Sequence, residues 1–136
     1  MHLSIIPSSH VDYAWRDGAS ALAESCETSG GEITGEQLKL ILARGERTLV
    51  ALVDDDGKPV GWGCWRVDQL PNVRALHVTS LVAHDAHFER FFDELKKYAT
   101  GFGCSELRCS ADKVRARLYR MKCGFEPVYE TLRVVL

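Results

Sequence analysis

At 136 residues, 46% hydrophobic and 26% charged, the chain has the length and composition of one ordinary soluble domain with a single core. No apolar run approaches the roughly 20 residues that cross a bilayer, and Met1–Pro7 lacks the charged start and long apolar stretch of a secretory leader. The five cysteines, odd in number and irregularly spaced, argue for free thiols in a reducing, cytoplasmic setting, and the net charge of −2 offers no ground for nucleic-acid binding.

Leu3–Ile6 is a short strand candidate stopped by Pro7. Ser8 or Ser9 caps a helix predicted to run to about Cys26, with Val11, Trp15, Leu22 and Cys26 on its apolar side. Gly30–Gly31 marks a loop. Thr34-x-x-Gln37 is a capping box with Ile33 stapling onto Leu38, so a second helix runs to about Arg44 and stops at Gly45. Arg47–Val53, rich in β-branched residues, is a strand, and Asp54–Gly57 turns it into the partner strand Val60–Val67. Gly61 and Gly63 leave room there for Trp62 or another chain to come close. After a turn at Pro71–Asn72, Ala75–Ala83 is a near-continuous apolar run suited to the centre of a sheet.

Phe88, Phe91, Phe92, Leu95, Ala99 and Phe102 then form one apolar stripe of a helix, read as core, with Asp85 as N-cap and Asp93–Lys97 as an i, i+4 ion pair. Gly101–Gly103 ends it, and Glu106–Ser110 is a short strand. Asp112 caps a last helix in which Val114, Leu118 and Met121 share the apolar face. Gly124 stops that helix, and Phe125–Leu136 is an extended run with Pro127 indicating an edge or a bend. The order β-α-α-β-β-β-α-β-α-β predicts an α/β fold: one domain spanning residues 1–136, with a mixed, mostly antiparallel sheet flanked by about four helices.

The last helix resembles the closing motif of the GNAT family of acyl-CoA N-acyltransferases, Asn-x-x-Ala-x-x-Leu-Tyr-x-x-x-Gly-Phe. Leu118, Tyr119, Gly124 and Phe125 match it, while Asp112 stands for the Asn and Arg115 for the Ala. The order of elements is similar to that family's over essentially the whole chain. The resemblance implies that acyl-CoA lies where the central strand and the next one splay apart. It implies Tyr119 as the acid that protonates the leaving thiolate, with a base on the central strands, for which His77 is the candidate. The family's pyrophosphate loop, Arg/Gln-x-x-Gly-x-Gly/Ala, has no counterpart in Leu81–Arg90, which lacks glycine and carries Asp85 and Glu89 where phosphates would sit. His84, His87 and Asp112 remain as candidates for cofactor contact.

Short proteins encoded by tailed phages are similar in this defect, in a Gly-Cys such as Gly103–Cys104 and in the basic helix before a Gly-Phe strand; some are virion or assembly components. The reading that follows is a degenerate GNAT-like domain with a structural or protein-interaction role and no cofactor, virion-associated if phage-encoded. Its interaction surface is the basic helix bearing Lys113, Arg115, Arg117, Arg120 and Lys122, set against Asp12, Asp17, Glu24, Glu27 and Glu32 in the acidic N-terminal third. Self-association or capture of a protein partner through Arg115, Arg117, Arg120 and Lys122 is expected; direct nucleic-acid binding is not, because the helix lacks interleaved aromatics. The alternative is an active N-acetyltransferase using acetyl-CoA, with Tyr119 and His77 in the roles above. His84-x-x-His87 with Cys104 and Cys109 contains zinc-type ligands, but the spacing matches no zinc module and no metal is expected.

Overall fold

The computed structural model describes residues 1–84 and 86–136. Its sheet has five strands in sequence order: β1 (His2–Ile6), β2 (Thr48–Val53), β3 (Pro59–Gln69), β4 (Arg74–Ala83) and β5 (Glu106–Cys109). The first three pairings are antiparallel, and β5 joins β4 in parallel. The helices are α1 (Val11–Arg16), α2 (Leu22–Cys26), α3 (Gly35–Ala43), α4 (Phe88–Gly101) and α5 (Lys113–Cys123). This is the mixed, mostly antiparallel α/β architecture predicted, with five helices rather than four.

Alternation along the strands supplies two cores. Val50, Leu52, Leu76 and Val78 face Phe88, Phe91, Phe92 and Leu95 of α4 and Tyr119 of α5. Leu49, Ala51, Trp62 and Cys64 face Val11, Leu22, Leu38 and Leu42 of α1–α3. The α4 stripe is core from Phe88 to Ala99, as predicted, but Phe102 falls at the C-cap and is 39% exposed. One extra residue interrupts the β3–β4 ladder: Cys64 pairs with Ser80 and Trp65 with Val78, so Thr79 bulges out of β4. A bulge of this kind bends its strand and shifts the side-chain phase beyond it, which is why Leu81 joins the core under α4.

The Thr34–Gln37 capping box is present. The single helix predicted up to Cys26 is instead two short helices with 3-10 turns at Ser8–His10 and Ala19–Ala21. Gly18 breaks it, at φ +135°, with the Trp62 ring beneath: a Cβ there would lie 3.1 Å from Trp62 Nε1. Gly61 and Gly63 do admit a close neighbour, and it is Phe91 of α4, whose ring would lie 3.1–3.2 Å from their Cβ atoms.

Three further expectations are corrected. Lys97 pairs with Glu94 (2.9 Å) rather than Asp93, because the nearly buried Glu94 carboxylate also draws Arg90 (3.1 Å), leaving Asp93 to Lys96 (3.8 Å). In α5, Val114 and Met121 are 80% and 72% exposed; the helix docks instead through Tyr119, 7% exposed, which sits among Phe88, Phe92 and Phe125. Residues 125–136 form no strand, so the final strand is not in the sheet. Phe125 packs on Phe92, Arg133 donates to the Gly30 carbonyl (2.6 Å), and Val128, Leu132 and Val134 are exposed. β5 offers only four residues for pairing, and Pro127 removes one donor at the start of the approach. The N-cap predicted at Asp85 lies outside the described residues; His87 occupies the N-cap position of α4 without a side-chain capping bond.

Candidate active site

β4 and β5 pair from Ala75–Glu106 to Val78–Cys109, and the Ser110 N–H still reaches the Val78 carbonyl at 3.3 Å. There the strands part. β4 continues to Ala83 beside β3 alone, while the other chain turns at Asp112 into α5. The Thr79 bulge sits at the same point. On the β5 side, the divergence leaves the Thr79–Ala83 edge of β4 without a strand partner among the described residues.

Each candidate proton-transfer residue approaches this point from a different face of the sheet. Tyr119 lies on the α4 side, its ring edge-on to Phe92 with centroids 4.8 Å apart. Burial pushes its hydroxyl up to about 12, against a smaller opposing pull from Arg115. The phenol therefore stays protonated at neutral pH, the state a proton donor needs.

His77 lies on the opposite face, in register with Arg66 of β3 and Arg108 of β5. Its Nε2 is 2.7 Å from the Ser110 hydroxyl, and its Nδ1 is 3.5 Å from Asp68 Oδ2. The other Asp68 oxygen accepts from Arg66 Nε at 2.9 Å. Desolvation, reinforced by Arg66, holds His77 below its ordinary pKa despite the attraction of Asp68. A neutral imidazole with Nδ1–H toward Asp68 leaves Nε2 to accept the Ser110 proton. Arg108 binds Glu106 through Nη2 (3.3 Å), and its buried Nε has no partner among the described residues. The Arg66–Asp68–His77–Ser110 chain was not foreseen: only His77 stood out in the sequence. Alternation in Arg66-x-Asp68 and in Arg108-x-Ser110 hinted at shared faces, but joining them requires the strand register.

The remaining candidates do not converge on one pocket. His84 closes the β4–α4 turn, its carbonyl accepting from the His87 N–H (2.8 Å) and its Nδ1 from the Ala86 N–H (3.3 Å). Both histidines are thus placed beside α4, with ring centroids 6.0 Å apart. Asp112 is engaged as the cap of α5, Oδ1 accepting from the Arg115 N–H at 2.9 Å. Of the basic side chains, Arg115 approaches Asp112 (4.0 Å), and Lys122 lies over the Phe88 ring at 5.8 Å, turned toward the start of α4. Arg117, Arg120 and Lys122 form no ion pair among the described residues and are exposed. No group of three metal-ligating side chains assembles among the described residues, so His84, His87, Cys104 and Cys109 do not come together. The match to the family motif is corrected at its end: four residues, not three, separate Tyr119 from Gly124, so Gly124 and Phe125 fall one position late.

No known family pattern and no curated protein matches the chain. Solved structures do. The ribosomal-protein-alanine N-acetyltransferase of Brucella melitensis biovar Abortus 2308 is similar at 16% identity and a TM-score of 0.70, covering 100% of both chains. The glucosamine-6-phosphate N-acetyltransferase of Arabidopsis thaliana is 16% identical, with a TM-score of 0.63 over 98% of this chain and 96% of its own. The aminoglycoside 6'-N-acetyltransferase AAC(6')-Ih of Acinetobacter baumannii is 10% identical, with a TM-score of 0.62 over 99% and 97%. The chain has the GNAT acetyltransferase fold. At these identities the likeness establishes fold and leaves chemistry to the site.

Proposed function

We propose that the chain transfers an acyl group from a thioester to an amine at the β4–β5 divergence. The amine nitrogen attacks the thioester carbonyl, a C–N bond forms and the C–S bond breaks. His77, through the Ser110 hydroxyl, takes the amine proton, and Tyr119 gives its proton to the departing sulfur. The observation that carries this reading is the 2.7 Å His77–Ser110 contact at the point where the strands part, with a protonated Tyr119 across the sheet.

Acetyl-CoA is the natural donor for this fold, and the protein fits it unevenly. The unpaired β4 edge suits an extended thioester arm, whose amides can pair with it. The turn at His84 has no glycine, and the Ala86 and His87 N–H groups are spent within it, so among the described residues it offers no nest for a pyrophosphate. Lys122 is the cation best placed to attract one. The donor is therefore held mainly by its arm. Acetyl-CoA and acetyl-pantetheine should be used with KM values within about tenfold of each other, a difference of at most ~1.4 kcal/mol. Steady-state assays with a panel of amines decide this, and no turnover with either donor would rule the reading out.

A second reading has its own support. Arg117, Arg120 and Lys122 of α5 form no ion pair among the described residues, and Val128, Leu132 and Val134 of the C-terminal run are exposed, features suited to a protein partner or another copy. In that reading the domain is structural, in a phage particle or its assembly, and acetyl-CoA at millimolar concentration leaves its Tm unchanged.

A further inference from the structure

The acyl-transfer reading uses Ser110 only as a path for a proton. Its surroundings support more. The Ser110 side chain is exposed at the mouth of the divergence, so a substrate carbonyl can reach Oγ. Its proton is directed at His77 Nε2 over 2.7 Å. The imidazole is oriented from behind by Asp68, which is itself held by Arg66. A hydroxyl, a base and an acid in this order are what activates an oxygen nucleophile.

We propose that Ser110 is an acyl-accepting nucleophile, with His77 as its base and Asp68 as a positioning residue, acting on activated esters and thioesters. Oγ bonds to the carbonyl carbon as its proton passes to His77 Nε2, and the C–O or C–S bond to the leaving group breaks. A phenol leaves as phenolate and His77 releases its proton to solvent; a thiol leaves with the proton from His77, so the imidazole is neutral again in either case. Water then attacks the acyl-serine and gives a proton to His77, the C–Oγ bond breaks, and Oγ recovers its hydrogen. The net reaction is hydrolysis to a carboxylic acid and the free phenol or thiol. Arg66 and Arg108, flanking His77 from β3 and β5, provide positive charge beside the oxyanion that forms.

This activity needs no acyl-CoA and stands apart from amine acylation. The probe is p-nitrophenyl acetate with the full chain, read by nitrophenolate release and by mass spectrometry of the peptide containing Ser110. A burst approaching one equivalent, with acetyl on Ser110, is expected. Ser110→Ala should abolish the adduct, and His77→Gln should slow the burst by roughly 10²-fold or more.

Asp68→Asn tests positioning through the pH profile. Arg66 and Asp68 from β3, Arg108 from β5 and Ser110 just beyond it face the imidazole, and of these charges only Asp68 holds its pKa up. Its loss should move the acidic limb of the burst rate to lower pH, a shift that a purely structural role would not produce. Acetylation confined to lysine or cysteine, a burst that survives His77→Gln, or an unmoved acidic limb in Asp68→Asn would overturn the proposal. Amine acylation by acetyl-CoA in the parent protein, with no acetyl adduct on Ser110, would leave the acyl-transfer reading standing while this one fails.

Discussion

Tyr119 does two jobs whose demands differ. Its ring fills the junction of α4, α5 and Phe125, while burial, only partly offset by Arg115, keeps its hydroxyl protonated. Tyr119→Phe keeps the ring and removes only the proton. Turnover should therefore fall by roughly 10²–10⁴-fold, with donor affinity and Tm almost unchanged, measured by steady-state kinetics and thermal unfolding on the same preparations. A large loss of stability would make the hydroxyl structural. Glu94 is the other residue whose ionisation matters, because Lys97 and, less strongly, Arg90 hold its carboxyl below the usual range. A depressed folded pKa means that the stabilisation is present above the unfolded value and disappears as pH falls through the folded one. Glu94→Gln should accordingly lower Tm at neutral pH and flatten its decline into acid, as followed by thermal melts across pH. Neither the Glu94 pairing nor the burial of Tyr119 was legible in sequence. The i, i+4 rule pointed to Asp93, and the hydrophobic pattern pointed to Val114 and Met121, because neither rule sees which side of a helix meets its neighbour.

Local signals located most elements well. Thr34–Gln37 started α3, Asp112 and Gly124 bounded α5, and the phenylalanine stripe of α4 packed as core. These succeed because caps, stops and amphipathic stripes are settled by residues within one or two turns of each other. The failures came where a distant element intervened. Gly18 breaks the first helix with the Trp62 ring beneath it, and Gly61 and Gly63 are small because Phe91 arrives from α4. Gly63→Ala would set a Cβ 3.1 Å from a fully buried Phe91 ring and 3.4 Å from the Ser80 carbonyl. It should cost about 1–3 kcal/mol, read from the urea midpoint at unchanged m-value, whereas Gly57→Ala, where nothing lies within 4 Å, tests only the strain of its positive φ.

Across the whole molecule, the acidic N-terminal third and the basic α5 remain as uneven as their composition suggested, and among the described residues no helix is long and apolar enough to cross a membrane. If the cationic face takes a partner, reversing Arg117 and Arg120 to Glu should weaken self-association in sedimentation velocity and leave the monomer's Tm within a few degrees. Unchanged association would remove the helix from consideration.

The amino-acid sequence alone carried the order of elements from α3 to α5, most of their ends and the identity of the fold, because caps, turns and apolar periodicity are short-range properties. Only the tertiary structure placed the Arg66–Asp68–His77–Ser110 chain. Its members are scattered over more than 40 residues, and a one-residue bulge at Thr79 sits beside them. Pairing register decides which side chains share a face, and register comes from contacts between strands that no single strand encodes.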